Sequence, residues 1–101
     1  MGNLVKVARR DEVPEGTGKT VEAGGQPIAL FNSGGRFYAI HNTCLHRNGP
    51  LGEGEIEGTT VVCPWHGWEY DITTGRLISD PAKKVACFSV QVQGDDILVE
   101  L

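Results

Sequence analysis

The chain has 101 residues, which is enough for about one small domain. Its formal net charge of −4 argues against nucleic-acid binding, which needs clustered Lys and Arg on one face. No apolar run approaches the ~20 residues of a membrane helix, and the N-terminal residues lack the apolar core of a signal peptide, so we expect a soluble, cytoplasmic protein.

Short runs of strand-forming residues alternate with Gly, Pro, Asn and Asp along the chain. The predicted strands, in chain order, are Leu4–Ala8, Lys19–Glu22, Pro27–Phe31, Arg36–Ile40, Thr59–Cys63, Glu69–Asp71, Val85–Gln93 and Ile97–Leu101. No window of about twelve residues has helical periodicity with caps. We therefore predict an all-β fold, a small antiparallel barrel or sandwich.

The segment 41–58 differs from the rest because it is poor in strand formers and dense in Gly, Pro and charged residues. A long irregular segment inside a small domain is usually either functional or disordered. This one contains Cys44-x-His46, and Cys63-x-x-His66 follows after sixteen intervening residues. A functional loop is therefore the better interpretation.

Thiolate and imidazole are ligands that suit zinc, copper and iron–sulfur centres. Three cysteines in a chain of cytosolic character also indicate metal or redox chemistry rather than a disulfide framework. Structural zinc fingers usually place two cysteines on one knuckle and two histidines on a helix. Here each loop carries one of each and no helix is predicted, which disfavours zinc but leaves a structural zinc module as an alternative.

The runs CLHRNGPL and CPWHGWEYDxxTG resemble the cluster-binding signature of the Rieske iron–sulfur proteins, and the similarity extends over about residues 36–82. The resemblance implies one Rieske-type [2Fe–2S] cluster, with Cys44 and Cys63 on the inner iron and His46 and His66 on the outer iron. It also implies a single Rieske domain over 1–101, with a cluster-binding subdomain at about 41–80 inserted into the β fold.

Several neighbours of the four ligands are expected to support the cluster. Gly49 and Gly67 allow close approach of the backbone, and Pro81 is expected to shield a cluster face. Trp65 and Trp68 either exclude water on both sides of His66 or belong to ordinary core packing.

Two departures from the quinol-oxidising Rieske class carry information about the potential. That class has a disulfide beside the cluster, and its cysteines match Gly49 and Trp65 here. It also has a serine hydroxyl donor where this chain has Trp68, whereas a second donor, Tyr70, is retained. These departures imply a reduction potential near the bottom of the range of about −150 to +300 mV.

The remaining candidates have ordinary interpretations. His41 is expected to end the strand Arg36–Ile40, and Cys87 to be a small buried residue within the strand Val85–Gln93. A ring-hydroxylating oxygenase needs a further site of two His and a carboxylate, which a single remaining histidine does not supply. Glu53, Glu55 and Glu57 form either a solvated loop or a surface that steers a basic partner.

The resemblance implies a monomeric one-electron carrier, a Rieske-type ferredoxin that passes electrons from a flavin-dependent reductase to a terminal oxygenase. The alternative is the small Rieske-like subunit of an assimilatory NAD(P)H nitrite reductase, bound to its large sirohaem subunit. Neither alternative involves a membrane or nucleic acid.

Overall fold

The computed structural model describes residues 3–45, 49–65 and 67–101. Ten strands make up about half of this part of the chain: β1 Leu4–Arg9, β2 Thr17–Ala23, β3 Gln26–Ser33, β4 Arg36–His41, β5 Glu55–Glu57, β6 Thr60–Val62, β7 Glu69–Asp71, β8 Cys87–Phe88, β9 Val90–Gln93 and β10 Asp96–Glu100. Its helical elements are two 3₁₀ turns, Arg10–Glu12 and Leu51–Glu53. No helix among the described residues is long and apolar enough to cross a membrane.

The strands form three antiparallel sheets. The terminal sheet has the order β1–β10–β9, the central sheet β2–β3–β4–β8, and the loop sheet β5–β6–β7. The predicted all-β, antiparallel fold is therefore confirmed.

Strand β3 is buried on both faces, which explains its uninterrupted apolar run. Ile28 and Leu30 face one side and pack towards the terminal sheet, in a terminal core that also contains Ala8, Val13, Val21, Ala23, Ala39, Ile97 and Val99. Ala29 and Phe31 face the other side, in a loop core that also contains Ile40, Cys44, Leu51, Val61, Cys63, Tyr70, Ile72, Leu77 and Val85. The central sheet thus lies between the other two sheets.

Two of the predicted elements differ from the structure. The predicted strand Val85–Gln93 is two strands, because the chain leaves the central sheet after Phe88, which pairs with Ala39, and enters the terminal sheet at Val90, which pairs with Val99. Strand β5 lies in a segment predicted to be irregular. Its sequence Glu-Ile-Glu has a single apolar residue, so its alternation is too short to recognise.

Candidate metal centre

Each of the two cysteine loops, the first at 44–49 and the second at 63–68, is closed by one backbone hydrogen bond, and the two bonds have the same pattern. The N–H of Cys44 donates to the carbonyl of Gly49 at 2.9 Å, and the N–H of Cys63 donates to the carbonyl of Trp68 at 2.7 Å. In both loops the donor is the cysteine and the acceptor is five residues later. Both thiols are buried in the loop core, with exposures of 1% and 2%.

The structure thus brings together two of the four predicted ligands, Cys44 and Cys63, in one core. The other two, His46 and His66, lie outside the described residues, and their role as ligands stays a prediction. The remaining histidine, His41, ends β4 as predicted. Its Nδ1 accepts a hydrogen bond from the N–H of Thr43 at 3.2 Å, so it belongs to the base of the first loop.

The first loop is fixed to the central sheet by Asn42, a buried polar residue that the sequence did not single out. Its Oδ1 accepts the N–H of Gly52 at 2.7 Å and the hydroxyl of Thr20 at 3.1 Å. The backbone N–H of Asn42 donates to the carbonyl of Pro27, and its backbone carbonyl accepts from the N–H of Leu51. An Asn that directly follows a strand and lies two residues before a cysteine is the signal that sequence reasoning missed.

The second loop connects β6 to β7, so it forms the end of a hairpin of the loop sheet. Gly67 has a φ of +75° and donates its N–H to the carbonyl of Cys63 at 3.1 Å. A Cβ on Gly67 would meet no atom of the described residues within 4 Å. The left-handed backbone conformation requires a glycine here, and a close approach of Gly67 to the cluster stays a prediction.

The backbone of Gly49 approaches the second loop closely, whereas its approach to the cluster stays a prediction. A Cβ at this position would lie 2.7 Å from the Sγ of Cys63 and 3.2 Å from the Cγ of Trp65. Only a residue without a side chain fits there. Gly49 is therefore the point at which the first loop contacts the second.

Tyr70 joins the loops from within the core. Its hydroxyl accepts the N–H of Leu45 at 2.9 Å and lies 3.4 Å from the Sγ of Cys44. Burial raises the pKa of Tyr70 far above its ordinary value, and the neighbouring Cys44 raises it further. The hydroxyl is therefore protonated at neutral pH. It accepts from Leu45 through its oxygen, and its own O–H can point towards the sulfur of Cys44.

The outer face of the loop sheet carries carboxylates. Residues directly opposite on antiparallel strands share a face, and the paired rows are Glu55–Val62–Glu69 and Glu57–Thr60–Asp71. We call the four acidic residues of these rows the acidic face. The ion pairs among the described residues, which are Lys6–Asp96, Arg9–Asp11, Arg9–Asp95 and Lys19–Glu12, involve none of them.

The acidic face corrects one interpretation of the sequence. Glu55 and Glu57 do not lie in a loop but on a strand, with Ile56 between them packed against the loop core. Glu53 belongs to a 3₁₀ turn, and together with Glu55 it lines a groove beside Cys63 and Gly67. The carboxylates are thus held at fixed positions beside the second loop.

The sequence model of the Rieske [2Fe-2S] domain family matches residues 3–92. The chain belongs to this family. The 3-phenylpropionate/cinnamic acid dioxygenase ferredoxin subunit of Escherichia coli (strain K12) is 39% identical over 92 residues, which cover 89% of this chain and 86% of the relative.

Two solved structures extend the comparison of this Rieske domain. A chain in the complex of reduced oxygenase and oxidized ferredoxin in carbazole 1,9a-dioxygenase superposes with a TM-score of 0.86 at 31% identity, covering 96% of this chain and 92% of that chain. A nitrite reductase small subunit from Mycobacterium tuberculosis superposes with a TM-score of 0.92 at 19% identity, covering 100% and 96%. The second likeness shows the fold alone.

As a member of the Rieske family the chain carries one [2Fe–2S] cluster. The described residues fit such a group, since two thiols lie buried in one core and Gly49 places no side chain of its own against Cys63. Neighbouring backbone N–H groups and the Tyr70 hydroxyl are donors of the kind that stabilise cluster sulfurs.

The two tryptophans of this Rieske domain differ in environment. Trp68 is half-buried and packs against the loop core, which agrees with ordinary core packing. Trp65 is 57% exposed. Pro81 is exposed in a turn closed by a hydrogen bond from the N–H of Lys83 to the carbonyl of Asp80, and its shielding of the cluster stays a prediction.

The expectation that Cys87 is buried is wrong. Its strand β8 has only two residues and lies at the edge of the central sheet, so its side chain is exposed. The thiol donates to the carbonyl of Thr73 at 3.4 Å. Partial burial raises the pKa of Cys87, and the negative charge of Asp71 raises it further.

Removing the Asn42 amide should destabilise the holoprotein. Asn42→Ala leaves the buried N–H of Gly52 without its acceptor, and an unsatisfied buried donor costs about 1–3 kcal/mol. Chemical denaturation should show a loss of that size, whereas Gln93→Ala, which removes an exposed amide, should change the free energy of unfolding by less than about 0.5 kcal/mol. Equal stabilities for both variants would contradict the anchoring role of Asn42.

Alkylation by iodoacetamide should show the raised pKa of Cys87. The thiolate is the reactive form, so at pH 7–8 the exposed thiol should react more slowly than a model peptide cysteine, and its rate should rise about tenfold per pH unit through the alkaline range. Peptide mapping assigns the label, and Cys87→Ser gives the background. A rate that levels off below pH 8 would be inconsistent with the raised pKa.

Proposed function

We propose that this chain is a one-electron carrier, a Rieske-type ferredoxin that accepts electrons from a flavin-dependent reductase and delivers them to a terminal oxygenase. The observation that carries the proposal is the pair of identically closed loops, whose cysteines lie buried in one core. The 39% identity to a dioxygenase ferredoxin subunit supports the assignment of the partner enzymes.

The proposed ligands are Cys44 and Cys63 for one iron and His46 and His66 for the other. A [2Fe–2S] cluster with this mixed ligation accepts and releases one electron at a higher potential than a cluster held by four thiolates. The burial of both described cysteines supports their assignment to the inner iron. The proposed cluster-binding subdomain, about residues 41–80, includes both loops and the whole loop sheet.

The protein's own residues keep this site dry and ordered. Leu51, Val61 and Tyr70 are fully buried around the cysteines and exclude water from the inner side. The Tyr70 hydroxyl donates towards Cys44, and the backbone hydrogen bonds within each loop hold the cysteines in place. A dry site held by fixed dipoles needs little rearrangement when its charge changes.

The acidic face supports docking on a positively charged surface of a partner enzyme. Complementary charge accelerates encounter and is weakened by salt. We propose that the terminal oxygenase presents such a surface, and that the carrier works as a monomer in the cytoplasm. None of the three cysteines is paired in a disulfide, as is typical of proteins in a reducing compartment.

The carrier is proposed to have no catalytic site of its own. The chain contains three histidines, and the assignment of two as cluster ligands leaves only His41. The alternative, a nitrite reductase small subunit, shares the fold at 19% identity. The identity to a dioxygenase ferredoxin subunit is higher, at 39%, and it favours the electron carrier.

Substitution of a proposed histidine ligand tests the site. His66→Ala should abolish the EPR signal of a reduced cluster with mixed His and Cys ligation, because the outer iron loses one of its imidazoles. The matched control is His41→Ala, which removes the ring that accepts the Thr43 N–H and should keep the signal. A colourless wild-type protein with one equivalent of zinc would instead favour the structural zinc module.

Electron transfer tests the function itself. With NADH and the reductase and oxygenase of a dioxygenase system served by a related ferredoxin, the chain should support turnover, and the rate should fall with rising ionic strength. Co-purification as a stable equimolar complex with a large sirohaem subunit, without electron transfer to an oxygenase, would reverse the ranking of the two functions.

Tyr70→Phe should lower the midpoint potential. The variant keeps the packing of the ring but loses the hydrogen bond to Cys44. If this bond stabilises the reduced state by about 1 kcal/mol, its loss lowers the midpoint potential by roughly 40 mV for one electron. Redox titration of Tyr38→Phe provides the control, because Tyr38 packs against the same core from β4. An unchanged midpoint in Tyr70→Phe would mean that its hydroxyl serves only Leu45.

A further inference from the structure

The two cluster loops belong to different parts of the fold. The first leaves the central sheet after β4, and the second closes a hairpin of the loop sheet. The hydrogen bonds that close them run within each loop, from Cys44 to Gly49 and from Cys63 to Trp68. These bonds order each loop by itself, so the separation of the two loops also depends on contacts between them.

On the inner side, Tyr70 provides this connection. It lies on β7, next to the second loop, and its hydroxyl accepts the N–H of Leu45 in the first loop. This joint is polar, and it is buried on the side of Tyr70, which has no exposed surface, whereas Leu45 is partly exposed. The Tyr70 hydrogen bond connects the loops beside Cys44. A different contact connects them beside Cys63 and Gly49.

On that side, the indole of Trp65 lies against Gly49. A Cβ built on Gly49 would be 3.2 Å from Cγ and 3.3 Å from Cδ2, two adjacent atoms of the indole, and 2.7 Å from the Sγ of Cys63. The ring and the sulfur thus both lie within 3.3 Å of the position that a side chain on Gly49 would take. The rest of the indole is in solvent, since Trp65 is 57% exposed.

An exposed aromatic ring in contact with a glycine is well suited to join two loops. The ring is rigid, with only two side-chain torsions, so little conformational entropy is lost when it is held against the other loop. The absence of a side chain on Gly49 allows the ring to reach the backbone itself. Because the covered side of the ring also adjoins Cys63, the contact limits the access of water to that sulfur.

We propose that Trp65 and Gly49 form a noncovalent latch that holds the two cluster loops together and excludes water beside Cys63. Trp65 is then a positioning residue for the cofactor, acting through loop separation rather than by ligation. The inference rests on the assignment of Cys63 as a ligand in the proposed function.

The retention of the cluster in holoprotein variants tests the latch. In air with a ferrous chelator, the visible absorbance of Trp65→Ala should bleach about tenfold faster than that of the wild type, a change equivalent to 1.4 kcal/mol. Trp65→Phe, which keeps an aromatic ring, should restore most of the lifetime. Ile78→Ala, which removes another large exposed apolar side chain outside the loops, should bleach at the wild-type rate.

A spectroscopic readout separates the latch from a general loss of stability. After exchange into D2O, the reduced Trp65→Ala protein should show deeper deuterium modulation of its EPR echo than the wild type, because water reaches the cysteine side of the site. Trp65→Phe should match the wild type. Unchanged modulation and an unchanged bleaching rate in Trp65→Ala would overturn the latch.

A second variant approaches the same contact from the first loop. Gly49→Ala places a methyl group between the indole and the Cys63 sulfur, so it should also accelerate bleaching while Trp65 remains present. Wild-type behaviour of Gly49→Ala would contradict the latch even if Trp65→Ala failed to accumulate. Failure of the proposed function looks different, because the wild-type protein itself would then lack the mixed-ligand EPR signal.

Discussion

The burial of two thiols from separate loops in one core is the constraint on which the rest of the structure depends. Cys44 and Cys63 lie 19 positions apart in the sequence, and the chain between them must leave the core and return. The fold meets this requirement by ending β4 and β6 against the same layer of side chains. The central strand β3, buried on both faces, provides the common base.

The two loops are held by contacts of opposite chemical character. Tyr70 provides a hydrogen bond from a fully buried side chain, and such a bond is costly to lose. Trp65 provides an apolar contact at the surface, where the geometry is less strict. In the disulfide-containing class the corresponding positions carry the two cysteines, so a glycine–tryptophan contact lies here where that class has a covalent bond.

The sequence predicted the strands best where the local pattern and the final environment agree. The run at Pro27–Phe31 and the motif that carries Cys44 and Cys63 are strong signals, because either burial or ligand chemistry determines the residue types.

Prediction from the sequence failed where the position of a residue in the folded structure decides the outcome. Cys87 has the composition of a buried residue but lies on a two-residue edge strand, and the chain changes sheets directly after it. The role of Asn42 depends on Thr20 and Gly52, neither of which is adjacent to it in sequence.

The sequence Glu69-Tyr70-Asp71 shows how the site and the acidic face are specified together. In a strand, successive side chains point to opposite faces. The alternation that buries the Tyr70 hydroxyl beside Cys44 therefore places Glu69 and Asp71 on the outer face, and Glu55-Ile56-Glu57 repeats the pattern on β5. A carrier that visits two enzymes in turn must bind each of them briefly, and charge steers encounter without the strong binding of a large apolar patch. The outer charge is held in register with the buried site because the same backbone positions both.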